Sequence, residues 1–339
     1  RFLPYIVTLV VVIKWGRGVG LGKERKTLSW ERFVLMILVG SQTCDTGMDR
    51  CCKCGADGFI RKPLSEVVFE IRLKTHMRHI ELIKERYRKN KALTYYQAMI
   101  EREHEMAHHV LDHIQTRSEN NTDHVMITRL SAASLNGDLA LVKTRSDGAR
   151  LVFVGDFTGH GLPASIGALP SIHAFFDAVD DLLSVHDLAV QMNRILLSIL
   201  PDYMFCAGYL LLISPNGEVT YWGGGMPNAY IQRHDGRFEY LPLHMPLGIL
   251  GVSEFEVNLN SIMLHPNDTL IIVSDGVLEL KNSNNEMLGE DRVKGLISEA
   301  YPNTPLVVAQ LTVEKKLAEY RKESLQMDDI TLVSLRNAC

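Results

Sequence analysis

The chain has 339 residues, enough for two compact units or for one domain with helical extensions, so burying a core is no obstacle. Hydrophobic residues make up 46% and charged residues 22%, the profile of an ordinary soluble globular protein, and a net charge of −4 gives no support to nucleic-acid binding. Six cysteines, three of them crowded as Cys51, Cys52 and Cys54, do not form a disulfide framework and point to a reducing, cytoplasmic setting.

The apolar run at residues 2–13, FLPYIVTLVVVI, is too short to span a bilayer. Lys14 and Arg17 follow it, whereas a signal peptide carries its charges in front, so a buried strand is expected and no membrane partner. The chain starts at Arg1, which leaves an upstream part open. The glycine-rich GRGVGLGK lacks the Gly-Lys-Ser/Thr ending of a phosphate loop and reads as a turn. Cys44, Cys51, Cys52 and Cys54 lack the second, separated pair that structural zinc wants, and inert thiols are the expectation.

Residues 64–116 contain neither proline nor glycine and read as one long charged helix. Within it Leu93, Tyr96, Ile100, Ala107, Val110 and Ile114 keep a three-four spacing, interrupted at Glu103, that suits a coiled coil and hence a homodimer. The same helix carries HEMAH, residues 104–108, a match to the His-Glu-x-x-His pattern of zinc proteases. The extended pattern would need glycine at 111 and histidine at 114, where the chain has Leu111 and Ile114. His113 is turned about 100° around the helix, so His104 and His108 are read as helix surface.

From about residue 122 the texture changes to short strand-like runs: VMITRLSAAS, DLALVKT, ARLVFVGD, FCAGYLLLIS, EVTYWGGG, NAYIQR, DTLIIVSDG and DITLVSL. Helical stretches sit near 162–199, 290–300 and 304–324. SDGA and SPNGE join neighbouring runs as hairpins, which implies mainly antiparallel sheet with helices outside, an α+β sandwich.

Aspartates mark several strand ends: Asp138, Asp156, Asp275, and Asp328 with Asp329. Glycine beside a strand end lets a carboxylate project into a cleft while the backbone stays close to a ligand. Several carboxylates in one place repel one another unless cations sit among them, and oxygen-rich sites suit magnesium or manganese rather than zinc. Two such ions can activate water and clamp a phosphate, which points to phosphate-ester hydrolysis.

Taken in order, GDFTGHGLPASIGALP, WGGGMPNAY, PLGILG, SDGVLE and DDITLV resemble the SpoIIE/RsbU-like bacterial branch of the metal-dependent PP2C (PPM) serine/threonine phosphatases, over roughly residues 120–336. The resemblance implies a PP2C-like α-β-β-α sandwich of two antiparallel sheets with two Mn²⁺ or Mg²⁺ ions at one edge. Asp156 would bridge both ions, Asp138 and the Phe157 carbonyl would complete one sphere, and Asp275 and Asp328 would hold the other. Asp329 falls where eukaryotic relatives often carry asparagine and is assigned to the surroundings of the ions, as is Gly276. Those relatives place a proposed general acid, a histidine, two positions after the bridging aspartate; here that position is Thr158, with His160 two further on. No arginine stands beside Asp138 as their phosphate-gripping arginine does. The loop from Gly223 to Tyr230 is expected near the site, its glycines explained equally by close approach or by a tight turn.

FVLMILVGSQTCDTGMDRCCKCGADGFIRKPL resembles the second half of a response-regulator receiver, ending in Lys62-Pro63. Residues 1–44 contain no aspartate, so no phospho-acceptor is assigned. The expected organisation is a partial receiver-like segment at 1–63, a helical linker at 64–116 and a phosphatase domain at 117–339. The implied substrate is a phosphorylated protein, by resemblance an anti-sigma-factor antagonist of the STAS type. The alternative is a non-catalytic pseudophosphatase that retains the fold for partner binding.

Overall fold

The computed structural model describes residues 8–12, 34–40, 58–61, 63, 65–132, 137–158, 162–322 and 324–337. The chain divides into two compact units, Arg1–Met99 and Ile100–Cys339. In the first, strands β1 (Thr8–Val12), β2 (Val34–Gly40) and β3 (Gly58–Arg61) form a parallel sheet in that order, with Thr8 opposite Val34 and Ile37 opposite Gly58. The apolar run at residues 2–13, read as a strand, forms one over Thr8–Val12. The glycine-rich stretch, the cysteine cluster and Lys62 lie outside the described residues.

Helix α1 (Glu66–Gln115) runs unbroken for 50 residues, as the absence of glycine and proline predicts. Exposed pairs at i,i+4 spacing, Glu70 with Lys74 at 2.7 Å and Glu85 with Lys89 at 2.8 Å, lie along its solvent face. In its first half Phe69, Leu73, His76 and Ile80 share a shielded face, with Ile80 buried. Further along, Leu93, Tyr96 and Ile100 are all more than half exposed. Ile114 departs from the expected stripe: it packs against the apolar core of the second unit. The Arg117 guanidinium, just beyond the helix, lies 4.1 Å from the Phe176 ring centroid.

The second unit stacks two antiparallel five-stranded sheets between two helical layers. One sheet has the order β11 (Asn260–Met263), β8 (Glu218–Gly224), β7 (Cys206–Ile213), β6 (Arg150–Phe157), β5 (Asp138–Thr144). The other has the order β10 (Phe238–Tyr240), β9 (Tyr230–Gln232), β12 (Thr269–Val273), β13 (Ile330–Arg336), β4 (Val125–Leu130). The two expected hairpins are present, closed by Gly148 N–H to the Arg145 carbonyl at 3.0 Å and by Gly217 N–H to the Ser214 carbonyl at 2.9 Å. The edge strands β10 and β11 were not expected: at three and four residues they are too short to show alternation.

Most of these strands are buried on both faces, so alternate residues serve different cores. On β5, Leu139 and Leu141 face helices α2 (Leu162–Asp180) and α3 (Val185–Ile199), against Ile172, Phe175, Leu188 and Met192. Ala140 and Val142 face the other sheet, against Leu270, Ile272 and Val333. The far side of that second sheet, with Ile271, Val273 and Leu332, is covered by α4 (Asp275–Leu278), α5 (Gly289–Ala300) and α6 (Leu306–Arg321). The stretch near 162–199 is two helices because Leu182 takes φ +57° and Ser184 caps α3, accepting the Asp187 N–H at 3.1 Å.

Two buried polar groups tie the layers. Gln310 on α6 accepts from Tyr301 Oη at 2.7 Å and donates to Thr128 Oγ1 at 2.6 Å and the Leu332 carbonyl at 3.1 Å. Asp268, fully buried, accepts from Arg233 Nη1 at 2.7 Å and from the backbone N–H groups of His234 and His265, each at 2.9 Å. No helix among the described residues is long and apolar enough to cross a membrane.

Candidate active site

Asp138 opens β5 and Asp156 stands one residue from the end of β6, and the β5–β6 register pairs them directly. Residues opposite each other in an antiparallel ladder project to the same face, with Cβ atoms about 5 Å apart. Counting by two from Ala140 and Val142, and from Val152 and Val154, puts both carboxylates on the face that meets the other sheet. The site is therefore the end of the inter-sheet core, where the lining changes from aliphatic to acidic.

The second sheet delivers the other acids to the same end. Ser274 and Thr331 extend the β12–β13 ladder, through Ser274 N–H to the Thr331 carbonyl at 3.0 Å and Thr331 N–H to Ser274 Oγ at 2.9 Å. Asp275 begins the single turn α4 immediately after Ser274, and Asp328 and Asp329 immediately precede β13. Gly276 sits so tightly on this segment that a Cβ there would lie 1.9 Å from the Asp329 carbonyl oxygen. The glycine is needed for that approach.

Electrostatics reflect the crowding. Burial, with the charges of Asp329 and Asp275 adding and the hydroxyls of Thr331 and Ser274 opposing, pushes the Asp138 pKa up to about 7. Burial, followed by the charges of Asp138, Asp275, Asp328 and Asp329, pushes Asp156 up to about 9. Asp275 is raised too, by burial and then by Asp328 and Glu279. Asp156 thus faces all four other aspartates. Such a set fits a hard, oxygen-preferring divalent cation in donor type and charge, because a cation relieves the repulsion. As placed, no three acidic, histidine or cysteine side chains among the described residues converge into a ready coordination set, so the fit is one of chemistry rather than preformed geometry.

The remaining expected residues fall in different places. Phe157 buries its ring in the helix-facing core, and its N–H reaches the Gly137 carbonyl at 3.4 Å. Thr158 is structural rather than acidic: its Oγ1 accepts the Phe205 N–H at 2.9 Å and its own N–H donates to the Phe205 carbonyl at 3.0 Å, lacing the chain beyond β6 to the start of β7. His160 and the side chains of His104 and His108 lie outside the described residues. The glycines of the loop from Gly223 to Tyr230 answer to both expectations: a Cβ on Gly224 would stand 2.3 Å from the Met245 carbonyl oxygen, and Gly225 turns the chain at φ +77°. Gly224 pairs with Gly208, which pairs with Gly155 beside Asp156, so the loop starts two strands from the acids.

Sequence reasoning missed Ser274 and Thr331 beside Asp138, and Asn193. Buried on α3, Asn193 accepts the Gly248 N–H at 2.8 Å and donates to the Leu250 carbonyl at 3.1 Å, holding PLGILG in place. An open groove of about 490 Å³ lined by Leu243, His244, Met245, Glu254 and Phe255 contains none of the five aspartates.

This layering of helices and two antiparallel sheets is that of PP2C phosphatase domains. The SiaA-PP2C domain of Pseudomonas aeruginosa superposes with a TM-score of 0.61 at 20% identity, covering 71% of this chain and 97% of that one. The PP2C phosphatase domain with a fragment of the regulatory domain of SpoIIE from Bacillus subtilis gives 0.52 at 21% identity, over 62% of this chain and 61% of that one. The RsbU and RsbW domains of a Mycobacterium tuberculosis protein give 0.54 at 18% identity, over 63% and 60%. Comparison with curated sequences gives no match. The family model for stage II sporulation protein E matches residues 146–337, more than half of the chain, and the chain belongs to the SpoIIE family. The matched stretch starts after Asp138, so that residue's place in the site rests on the β5–β6 register.

Proposed function

We propose that this chain is a Mn²⁺- or Mg²⁺-dependent protein serine/threonine phosphatase acting in partner-switching signalling. The observation that carries the reading is the direct pairing of Asp138 with Asp156, whose carboxyl is pushed up by burial and by the charges of Asp138, Asp275, Asp328 and Asp329. Membership of the SpoIIE family supports it. Asp156, facing the other four acids, would bridge two cations; Asp138 and the Phe157 carbonyl would hold one, Asp275 and Asp328 the other. When bound, the ions supply an activated water and a clamp on the phosphate. Without them Asp156 keeps a proton at neutral pH, so cation loading exchanges that proton for metal.

The substrate we propose is a phosphorylated anti-sigma-factor antagonist of the STAS type, with the receiver-like segment and α1 as the regulatory arm. Leu93, Tyr96 and Ile100 leave an exposed apolar face for a homodimer, and a strict monomer in light scattering at high concentration would remove that part. The second reading is a pseudophosphatase that keeps the fold for partner binding; it is favoured by the absence, among the described residues, of a ready coordination set.

Hydrolysis of p-nitrophenyl phosphate with and without Mn²⁺ separates the two. Turnover that requires Mn²⁺ and is lost in a folded Asp156→Asn variant is expected. No turnover in either metal would overturn the enzyme reading.

A further inference from the structure

Asp329 is set apart among the five acids because both of its carboxylate oxygens accept from backbone N–H groups. Its side chain is 3% exposed. Oδ1 accepts the Ala132 N–H at 2.8 Å and Oδ2 accepts the Gly137 N–H at 2.7 Å. These two donors mark the two ends of the connection from β4 to β5, and Gly137 is the residue before Asp138. The Asp329 carbonyl in turn accepts from Ser274 Oγ at 3.3 Å and receives the close approach of Gly276, on either side of Asp275. One residue therefore joins the segment bearing Asp138, the turn bearing Asp275 and its own neighbour Asp328.

We propose that Asp329 is a positioning residue: it fastens the β4–β5 connection to the start of β13 and thereby sets the cation affinity of the cluster without contacting the cation. A carboxylate suits this task because it presents two acceptors and no donor. An asparagine in the same place keeps one bond and turns an N–H₂ toward the other N–H; an alanine keeps neither. The two oxygens are satisfied by N–H donors at short distance, the arrangement by which outer groups orient metal-binding side chains. The inference rests on the metal-dependent reading above and is tested on a readout separate from turnover.

The experiment is calorimetric titration of Mn²⁺ into the full chain and into Asp329→Asn, Asp329→Ala and Gln310→Ala, with the thermal midpoint of each recorded. Gln310→Ala serves as a destabilised control that removes no bond made by the acids. The expected order is an affinity about tenfold weaker in the asparagine variant and about a hundredfold weaker in the alanine variant, with the Gln310 control binding as wild type despite its lower midpoint. If the alanine variant does not fold, the asparagine variant decides. Asp329 variants that bind Mn²⁺ like wild type, or weaken only as much as Gln310→Ala, would overturn the inference and leave the phosphatase reading standing. A wild-type chain that binds no Mn²⁺ would overturn both.

Discussion

Replacing Gly276 by alanine puts a methyl carbon 1.9 Å from the Asp329 carbonyl oxygen and 2.9 Å from the carbonyl carbon. An ordinary carbon–oxygen approach is about 3.3 Å, so the α4 turn and the β13 lead must separate by roughly 1.4 Å. Neither side is a flexible side-chain tip, and the Ser274–Thr331 bonds at 3.0 and 2.9 Å tether both segments. The cost belongs at the upper part of the overpacking range, about 3 kcal/mol, which for a domain of this size lowers the melting temperature by roughly 6–12 °C. Because the displaced segments carry Asp275 and Asp328, Mn²⁺ affinity falls with stability. Thermal melts with and without Mn²⁺ read both effects. Gly295→Ala, on the exposed face of α5 with nothing within 4 Å, is the counterpart and gains up to about 1 kcal/mol through helix propensity. A Gly276→Ala protein that melts within about 2 °C of wild type and keeps its Mn²⁺ affinity would refute the reasoning.

Two further outcomes are expected. Asp138 and Asp156 are acids with raised folded-state pKa values, about 7 and about 9, so between pH 4 and 9 the folded chain retains protons that the unfolded chain has released. Stability in chelator therefore falls as pH rises through that window, on the order of 4 kcal/mol from Asp138 alone, and Mn²⁺ flattens the slope; chelator melts that hold steady or rise from pH 5 to 9 would contradict it. Asp268→Ala removes three short bonds and leaves the buried Arg233 with Glu239, at 2.8 and 2.7 Å, and the Met263 carbonyl, at 2.6 Å. A loss of about 3 kcal/mol, seen as a melting temperature roughly 10 °C lower, is expected, and a shift under 2 °C would show that Glu239 and the Met263 carbonyl suffice.

Much of the sandwich was legible because its strands are runs of β-branched and aliphatic residues broken by turns, as in DLALVKT and DTLIIVSDG. Even the Asp138–Asp156 pairing was implicit, since the two residues are equidistant from Asp147 in the SDGA turn. What stayed hidden was contact across layers. Asp329 acts through backbone N–H groups nearly two hundred positions away, and such donors have no sequence signature. Thr158 and Ile114 show the same limit from the other side: a motif offset placed Thr158 where relatives carry a histidine, and a spacing suggested a coiled coil. In the structure, one laces two strand ends and the other joins a core.

The position of β13 in its sheet has a consequence for folding. It is the last of the described strands in chain order, yet it lies between β12 and β4, not at an edge. A chain folded as far as β12 can hold Asp138 opposite Asp156, but it has an open slot in the second sheet and nothing to seat against Gly276. The acids reach full count only when residues 328–336 fill that slot. Until then β12 has one open edge and β4 has no partner, so the half-made domain is at its most adhesive just before it gains its full set of acids.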